Sequence, residues 1–145
     1  MFKKILVPVD GSETSWRAMD EAKKLAEKFG GSLVVVNVIQ PYNSAALLAV
    51  PLDQATITQG NNELAKIGDK VLAAAKEKMA DFKGEVQFDL EVGHPSERII
   101  VVSKDKDCDS IVIGSRGLSG IAEFFLGSVS SKVAQYATLP VLIVK

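Results

Sequence analysis

Hydrophobic residues gather in five short runs along the chain of 145 residues. Four of these runs are almost continuously apolar, which is typical of parallel strands covered by helices on both faces. The run Val86–Val92 instead alternates apolar and polar residues, so one of its faces should meet solvent, as at the edge of a sheet. The predicted strands are Ile5–Val9, Leu33–Ile39, Val86–Val92, Ile111–Ile113 and Val141–Val144.

Helical periodicity fills the intervals between the predicted strands. The first helix ends at Lys28 and Gly30-Gly31, which form a stop signal, and Pro95 suits the first turn of a third helix because its missing N–H is not needed there. A fourth helix is predicted from about Ser128 to Thr138. The predicted inward positions are Ala18, Ala22, Leu25, Ala26 and Phe29 in the first helix, Leu64, Ile67, Val71, Leu72, Ala75 and Met79 in the second, and Val129, Val133, Ala134 and Ala137 in the fourth.

The order of these elements predicts one α/β domain over residues 1–145. A β-α unit repeated four times and followed by a last strand calls for a doubly wound parallel sheet with right-handed crossovers and helices on both faces. One segment, Gln40–Gly60, is long for a connection and carries the apolar run Ala45–Val50. We interpret it either as a lid or partner surface, or as a short extra helix on the core.

The composition and charge of the chain limit the classes of protein to which it can belong. A hydrophobic fraction of 47% and a charged fraction of 24% are those of an ordinary globular chain. With 17 basic and 18 acidic residues and no dense basic stretch, the chain is not expected to bind nucleic acid or a membrane. Cys108 is the one cysteine, and the first apolar run is too short for a signal peptide, so we expect a cytoplasmic protein.

Glycines and polar residues follow the first and fourth predicted strands. In open α/β sheets, ligands bind beyond the carboxyl ends of the strands, where the strand order reverses. Asp10–Ser12 follow the first strand and Gly114–Gly117 follow the fourth. Gly120 and then Gly127–Ser131 lead into the last helix. The sequence therefore predicts a binding site at these two strand ends.

Each residue type in this pattern suits a nucleotide. Gly114 and Gly117 can adopt a positive φ and let an anion approach the backbone. The amides and hydroxyl of Gly127–Ser128 lie at a predicted helix N-terminus, which favours phosphate. Arg116 adds a cation, and Asp10 is an acceptor for a ribose hydroxyl or for a metal ion on the phosphates. The alternative is that the glycines only turn the chain and the serine only caps a helix.

Several stretches resemble the universal stress protein family, over the whole chain. They are Val7–Ser12, Gly93–Pro95, Ile113–Gly117, Gly127–Val129 and Pro140–Val144. The glycine and serine pattern is similar to that of the ATP-binding branch of the family. The resemblance implies a five-stranded parallel sheet in the order 3-2-1-4-5, of the adenine nucleotide alpha hydrolase-like type.

The resemblance also implies a ligand, partners and site residues. It implies ATP with a divalent ion, Mg or Mn, on the phosphates, a homodimer through the last strand Val141–Val144, and a nucleotide-dependent regulatory or sensor role in stress response. It places Asp10 at the ribose, Pro8 and Val9 along the pocket, and Val38 at the adenine with its backbone available for hydrogen bonds. Around the ribose and phosphates it places Gly114, Ser115, Arg116, Gly117, Gly120, Gly127, Ser128, Val129 and Ser130.

Other functions are weighed against this one. A slow ATPase or a self-phosphorylating enzyme would use Asp10 with a metal ion and a nearby serine, although the chain has no G-x4-G-K-[S/T] loop. A redox flavoprotein would need a Ser/Thr-rich phosphate loop after the first strand, which the sequence lacks. His94 is either a base or metal ligand, or a residue at a helix entry. Cys108 and Trp16 are interpreted as packing residues, so no catalytic residue is predicted.

Overall fold

The computed structural model of the chain describes residues 1–41, 53–117 and 126–145. Within these ranges, strands and helices alternate strictly along the chain, as the sequence predicts. The elements are β1 (Lys4–Pro8), α1 (Glu13–Phe29), β2 (Ser32–Ile39), α2 (Gln54–Lys78), β3 (Val86–Val92), α3 (Pro95–Asp105), β4 (Ser110–Gly114), α4 (Ser128–Tyr136) and β5 (Val141–Val144).

The five strands form one parallel sheet in the order β3-β2-β1-β4-β5. The chain moves outward from β1 to β3 and then returns to place β4 on the other side of β1. This reversal makes the fold a doubly wound α/β sheet, with its switch point between β1 and β4. Both the predicted fold and the edge position of β3 are confirmed.

Helices cover both faces of the sheet, because successive side chains of each strand point to opposite faces. On one face, Ile5, Val7 and Val35 pack in a cluster with residues of α1 and α2. On the other face, Leu6 and Val34 pack in a cluster with residues of α3 and α4. Each fully buried side chain of this size contributes roughly 1.5–3 kcal/mol to folding, so the two clusters hold the sheet between its helices.

The caps of α1 are those that the sequence predicts. Ser12 is the N-cap and accepts from the Ser15 amide, and Gly30 ends the helix in the left-handed conformation at φ 63°. Three predicted inward residues are instead exposed: Phe29, Ile67 and Ala134. Phe29 lies in the last turn of α1, where its ring contacts Phe2 rather than the core.

The inward face of α2 explains why the sequence pattern wrongly predicted Ile67 to point toward the core. Gly68, Leu72 and Ala75 are the buried residues of this helix, and they follow one another at intervals of four and three residues. Ile67 precedes Gly68 by one position, which turns its side chain about 100° away from that face. The small residue at position 68, and not the large apolar residue beside it, therefore faces the sheet.

The interpretation of Gln40–Gly60 as one long connection was wrong for its last part. Helix α2 begins at Gln54, and Asp53 caps it by accepting from the Thr56 amide at 2.7 Å. The first two turns of α2 are mostly polar, so hydrophobic periodicity does not reveal them. The apolar run Ala45–Val50 lies outside the described residues.

Candidate functional site

A cavity of about 320 Å³ lies at the carboxyl ends of the central strands, on the face that α3 and α4 cover. Its walls combine apolar residues from the strands with backbone and polar groups from the loops that follow β1 and β4. The lining residues are Pro8, Val9, Asp10, Ser15, Val36, Val38, Pro95, Ile99, Ile113, Gly114, Arg116, Gly117, Gly127, Ser128, Val129 and Ser130.

The cavity opens where the pairing of β1 with β4 stops. The register of these strands pairs Ile5 with Ser110 and Leu6 with Ile111. Pro8 lies two residues further along β1 and has no N–H to donate to a neighbouring strand. Since β1 cannot continue its ladder with β4 at this point, the two strands separate and leave a crevice at the switch point of the sheet.

Asp10 occupies a tight turn between β1 and α1. Its Oδ1 accepts from the Ser12 amide at 2.9 Å, and Gly11 between them has a φ of 89°, which favours glycine. The Asp10 amide donates to the Ser15 Oγ at 3.4 Å. These contacts hold the carboxylate beside Gly117, where a Cβ atom would lie 2.7 Å from Asp10 Oδ2. Glycine at position 117 therefore leaves the space that the Asp10 carboxylate occupies.

The loop after β4 is fastened to the start of α1. The Thr14 hydroxyl donates to the Arg116 carbonyl oxygen. A Cβ atom on Gly114 would lie 2.8 Å from the Thr14 carbonyl carbon, so the two backbones meet without a side chain between them. Gly114 and Gly117 do not use the positive φ that glycine allows. Close approach, and not an unusual backbone conformation, explains these two glycines.

The N-terminus of α4 faces the cavity. Gly127 is its N-cap, with φ −62° and ψ 161°, and no side chain caps the first turn. The Ser130 hydroxyl donates to the Ser115 and Gly127 carbonyl oxygens at 2.9 and 3.0 Å, so it fastens the helix to the loop. Within the described ranges, the amides of the first turn, from Ser128 to Ser130, have no acceptor and can face an anion.

Eleven of the thirteen residues predicted for the site line the cavity. Ser115 does not, because it is buried behind the wall, where its carbonyl accepts from the Gly127 amide at 2.8 Å. Gly120 lies outside the described residues. The sequence reasoning missed five residues, Ser15, Val36, Pro95, Ile99 and Ile113. Four of them are apolar and look like core residues in the sequence, and only the position of Pro95 after a strand end could have pointed to the site.

Charge in the cavity is carried by Asp10 and Arg116 among the described lining residues. The Arg116 guanidinium is half-buried and makes no hydrogen bond or ion pair within the described ranges. Groups of three or more His, Cys, Asp and Glu side chains that could hold a metal are absent from the described residues. A metal ion at this site would therefore need other ligands beside Asp10.

The other residues weighed in the sequence, His94, Cys108 and Trp16, lie at positions that packing or helix capping explains. His94 is the exposed N-cap of α3, with its Nδ1 3.1 Å from the Ser96 Oγ, as a helix-entry residue would be. Cys108 is buried, and burial raises the pKa of its thiol to about 11, which makes it a poor nucleophile. Trp16 packs against the cluster between the sheet and α1. In the described part of the chain, no helix combines the length and the apolar character needed to cross a membrane.

Comparison with known proteins identifies relatives of the whole chain. The model of the universal stress protein family matches residues 1–145. Universal stress protein YxiE of Bacillus subtilis is 39% identical, with both chains fully covered. Universal stress protein MJ0577 of Methanocaldococcus jannaschii is 32% identical over all of this chain and 96% of its own.

Solved structures show the same similarity. The structure of MJ0577 has a TM-score of 0.85 to this chain, at 28% identity, and covers 100% of this chain and 96% of that one. A universal stress protein in complex with cAMP has a TM-score of 0.72 at 25% identity, covering 99% of this chain and 97% of that one. The chain belongs to the universal stress protein family.

Proposed function

We propose that this protein binds ATP in the cavity and acts as a nucleotide-dependent regulatory or sensor module in stress response. The observation that carries the proposal is the layout of the cavity, which has an apolar end, a central carboxylate and an end formed by unpaired helix amides. A base, a ribose and a chain of phosphates need these three environments in this order.

The apolar end suits a purine base. Val36 on β2 and Ile99 and Pro95 on α3 line this end with apolar side chains. The backbone N–H and C=O of Val38 point toward β1 beyond its last paired residue and have no partner within the described residues. An unpaired donor beside an unpaired acceptor complements adenine, whose ring nitrogen accepts and whose amino group donates.

The opposite end suits phosphates. The first-turn amides of α4 carry the partial positive charge of a helix N-terminus, and Arg116 supplies a full positive charge. Asp10 lies between the two ends, where its carboxylate can accept from a ribose hydroxyl. It could also give one oxygen to a magnesium or manganese ion whose other ligands are phosphate oxygens and water.

The relatives support an adenine nucleotide as the ligand. The solved universal stress protein that holds cAMP shares the fold of this chain over almost its whole length. Because cAMP carries one phosphate, that complex does not decide between a monophosphate and a triphosphate. The argument for ATP rests on the row of amides and the cation beyond the ribose position in this chain.

The polar groups of the site favour binding over catalysis. The Ser130 hydroxyl already donates to two carbonyl oxygens, and Asp10 Oδ1 already accepts from an amide. These groups are arranged to hold a ligand rather than to activate a nucleophile. A slow ATPase that uses Asp10 and a metal ion remains the alternative, and the experiment below separates the two.

We further propose that the protein is a cytoplasmic homodimer. Strand β5 is an outer strand of the sheet, so one of its edges has unpaired backbone groups, and its Leu142 is 41% exposed. Pairing of Val141–Val144 with the same strand of a second copy would cover this edge.

The experiment is to purify the protein without added nucleotide, denature it, and identify the released molecule by chromatography and mass spectrometry. We expect close to one ATP per chain in the native protein and none with Gly117→Val, whose added side chain would displace the Asp10 carboxylate. Gly30→Ala is the control, since Gly30 caps α1 at the far edge of the sheet and the change should cost about 1 kcal/mol of stability without loss of nucleotide.

Three results of this experiment have separate meanings. ATP in the native protein and in the control variant, but not in Gly117→Val, supports the proposal. ADP in place of ATP would favour the slow ATPase. An empty native protein that also fails to bind added Mg-ATP would overturn the nucleotide function altogether.

A further inference from the structure

Asn37 is a polar residue in the apolar core, on the face of β2 opposite the cavity. It is only 6% exposed. A Cβ atom on Gly68 of α2 would lie 2.9 Å from Asn37 Oδ1 and 3.1 Å from the Ile39 side chain, so helix and strand are in close contact here. The surroundings would suit an apolar side chain of the same shape.

The nitrogen and the oxygen of the Asn37 side-chain amide differ in their hydrogen bonding. The Nδ2 donates to the Val9 carbonyl oxygen at 2.8 Å, which fixes the orientation of the amide. The Oδ1 is buried and has no hydrogen-bond partner within the described residues. An amide that is half satisfied in a buried site is a poor source of stability. We therefore expect the role of Asn37 to lie in its hydrogen bond to the Val9 carbonyl oxygen.

That bond replaces a rung of the ladder between β1 and β2. The even-numbered residues of β2 direct their backbone groups to β1, since the Ser32 amide donates to Lys3 and the Val36 carbonyl accepts from Val9. The next rung would run from the Val38 amide to the Val9 carbonyl. In the structure, the side chain of Asn37 takes that carbonyl instead, and the Val38 amide at the cavity wall has no partner among the described residues.

We propose that Asn37 is a positioning residue that sets base selectivity without touching the ligand. By holding the Val9 carbonyl, it keeps the N–H of Val38 free for the edge of the base, beside the C=O of the same residue. This inference rests on the proposed nucleotide function for its consequence, but its structural part, the competition for the Val9 carbonyl, can be tested without any ligand.

The consequence concerns adenine against hypoxanthine. Adenine presents a ring acceptor and an amino donor, which match the Val38 N–H and C=O. Hypoxanthine presents a ring donor and a carbonyl acceptor, so both positions are reversed. The native protein should therefore bind ATP at least about tenfold more tightly than ITP. When the Val38 amide is paired with Val9, this preference should largely disappear.

The first test measures hydrogen exchange of the Val38 amide by NMR, without nucleotide. Asn37→Leu keeps the shape of the side chain but cannot donate, so the Val9 carbonyl becomes free to accept from Val38. We expect Val38 exchange to slow by about tenfold or more in this variant and in Asn37→Ala. Ile39→Val is the matched control, because it shortens a neighbouring side chain that also faces Gly68 and leaves the Val9 bond intact. Equal exchange rates in the native protein and the Asn37 variants would overturn the inference.

The second test compares the dissociation constants of ATP, ITP and inorganic tripolyphosphate by calorimetry. In Asn37→Leu, we expect the ratio of ITP to ATP constants to fall to about two or less, with the tripolyphosphate constant unchanged. An unchanged ratio in a folded variant would overturn the role of Asn37. A native protein that binds none of the three ligands would instead contradict the proposed function, and the exchange test would still decide whether Asn37 holds the Val9 carbonyl.

Discussion

The two ends of the parallel strands, here called the amino edge and the carboxyl edge of the sheet, differ in how their backbone groups are used. At the amino edge, Asp109 accepts from the amides of Phe2 and Lys3 at 3.0 and 2.8 Å, and Gly31 packs directly on the Phe2 carbonyl. At the carboxyl edge, β1 and β4 separate, and the amides at the start of α4 face a cavity. One edge is closed by internal hydrogen bonds, and the other contains a cavity.

Two aspartates show the difference most clearly. Asp109 accepts from the backbone amides of Phe2 and Lys3, just before β1, and from the Ser110 hydroxyl, so its carboxylate is occupied by the protein. Asp10 accepts from one amide, and its second oxygen lies against Gly117 at the cavity. The comparison shows that the same type of side chain stabilises the fold where backbone amides surround it, whereas at the cavity it keeps one oxygen beside a glycine.

The largest effect is expected when the closed edge is broken. Asp109→Ala leaves the amides of Phe2, Lys3 and Lys4, before and at the start of β1, without an acceptor. We therefore expect a loss of about 3 kcal/mol in the free energy of unfolding. Urea denaturation followed by the fluorescence of Trp16, the one tryptophan of the chain, measures it. The ATP affinity of the folded variant should stay within about twofold of the native value, because the cavity lies at the other edge. A stable variant that had lost ATP would contradict the comparison.

The pH dependence of the stability of Asp109→Ala tests whether the Asp109 carboxylate is the source of the lost stability. Burial raises the pKa of Asp109, but hydrogen bonds from the Lys3 amide, the Ser110 hydroxyl and the Lys4 amide outweigh burial and hold the pKa below its usual value. The stabilisation is therefore fully present above the unfolded pKa of about 3.9 and is lost as pH falls through the lower folded pKa. The stability gap between native protein and Asp109→Ala should narrow as pH falls below about 4. A gap that stays constant to about pH 2 would exclude the carboxylate as its source.

A smaller effect, on binding alone, is expected at the open edge. Asp10→Ala should weaken ATP binding by about tenfold, since it removes a charged acceptor for the ribose or the phosphate-bound ion. The free energy of unfolding should change by less than about 1 kcal/mol, because the carboxylate accepts from one amide only. Calorimetric titration measures the ATP affinity, and urea denaturation of the same preparation measures the free energy of unfolding. A variant that loses more stability than affinity would reverse the roles of the two edges.

The sequence predicted the sheet well because its strands are nearly continuous apolar runs. The bounds of Val86–Val92 and Val141–Val144 agree with the structure. The predicted strand Leu33–Ile39 differs by one residue at its start, and Ile5–Val9 and Ile111–Ile113 differ by one residue at both ends. The edge position of β3 followed from its alternating pattern. Helix faces were less certain, since neither Ile67 nor Ala134 faces the core.

From the residues alone, only the polar part of the site could be predicted, and the apolar residues Pro8, Val9, Val38 and Val129 came from the family resemblance. Glycines, Asp10 and Ser128 stand out in the sequence because few other roles require them after a strand. The apolar wall could not be found, since Val36 and Ile113 look like any other residue of a buried strand. Asn37 was missed as well, because its role depends on the distance between its amide and the Val9 carbonyl, which the fold alone determines.

The most direct test of the account is an NMR titration of the native protein with Mg-ATP, read at every assigned amide. The account predicts large shifts at Asp10, Val38, Gly117 and the first turn of α4, and none at Phe2, Gly31 or Asp109. Shifts that cluster at the amino edge, or no saturable shift at all, would contradict the claim that the open edge of this sheet is a nucleotide site.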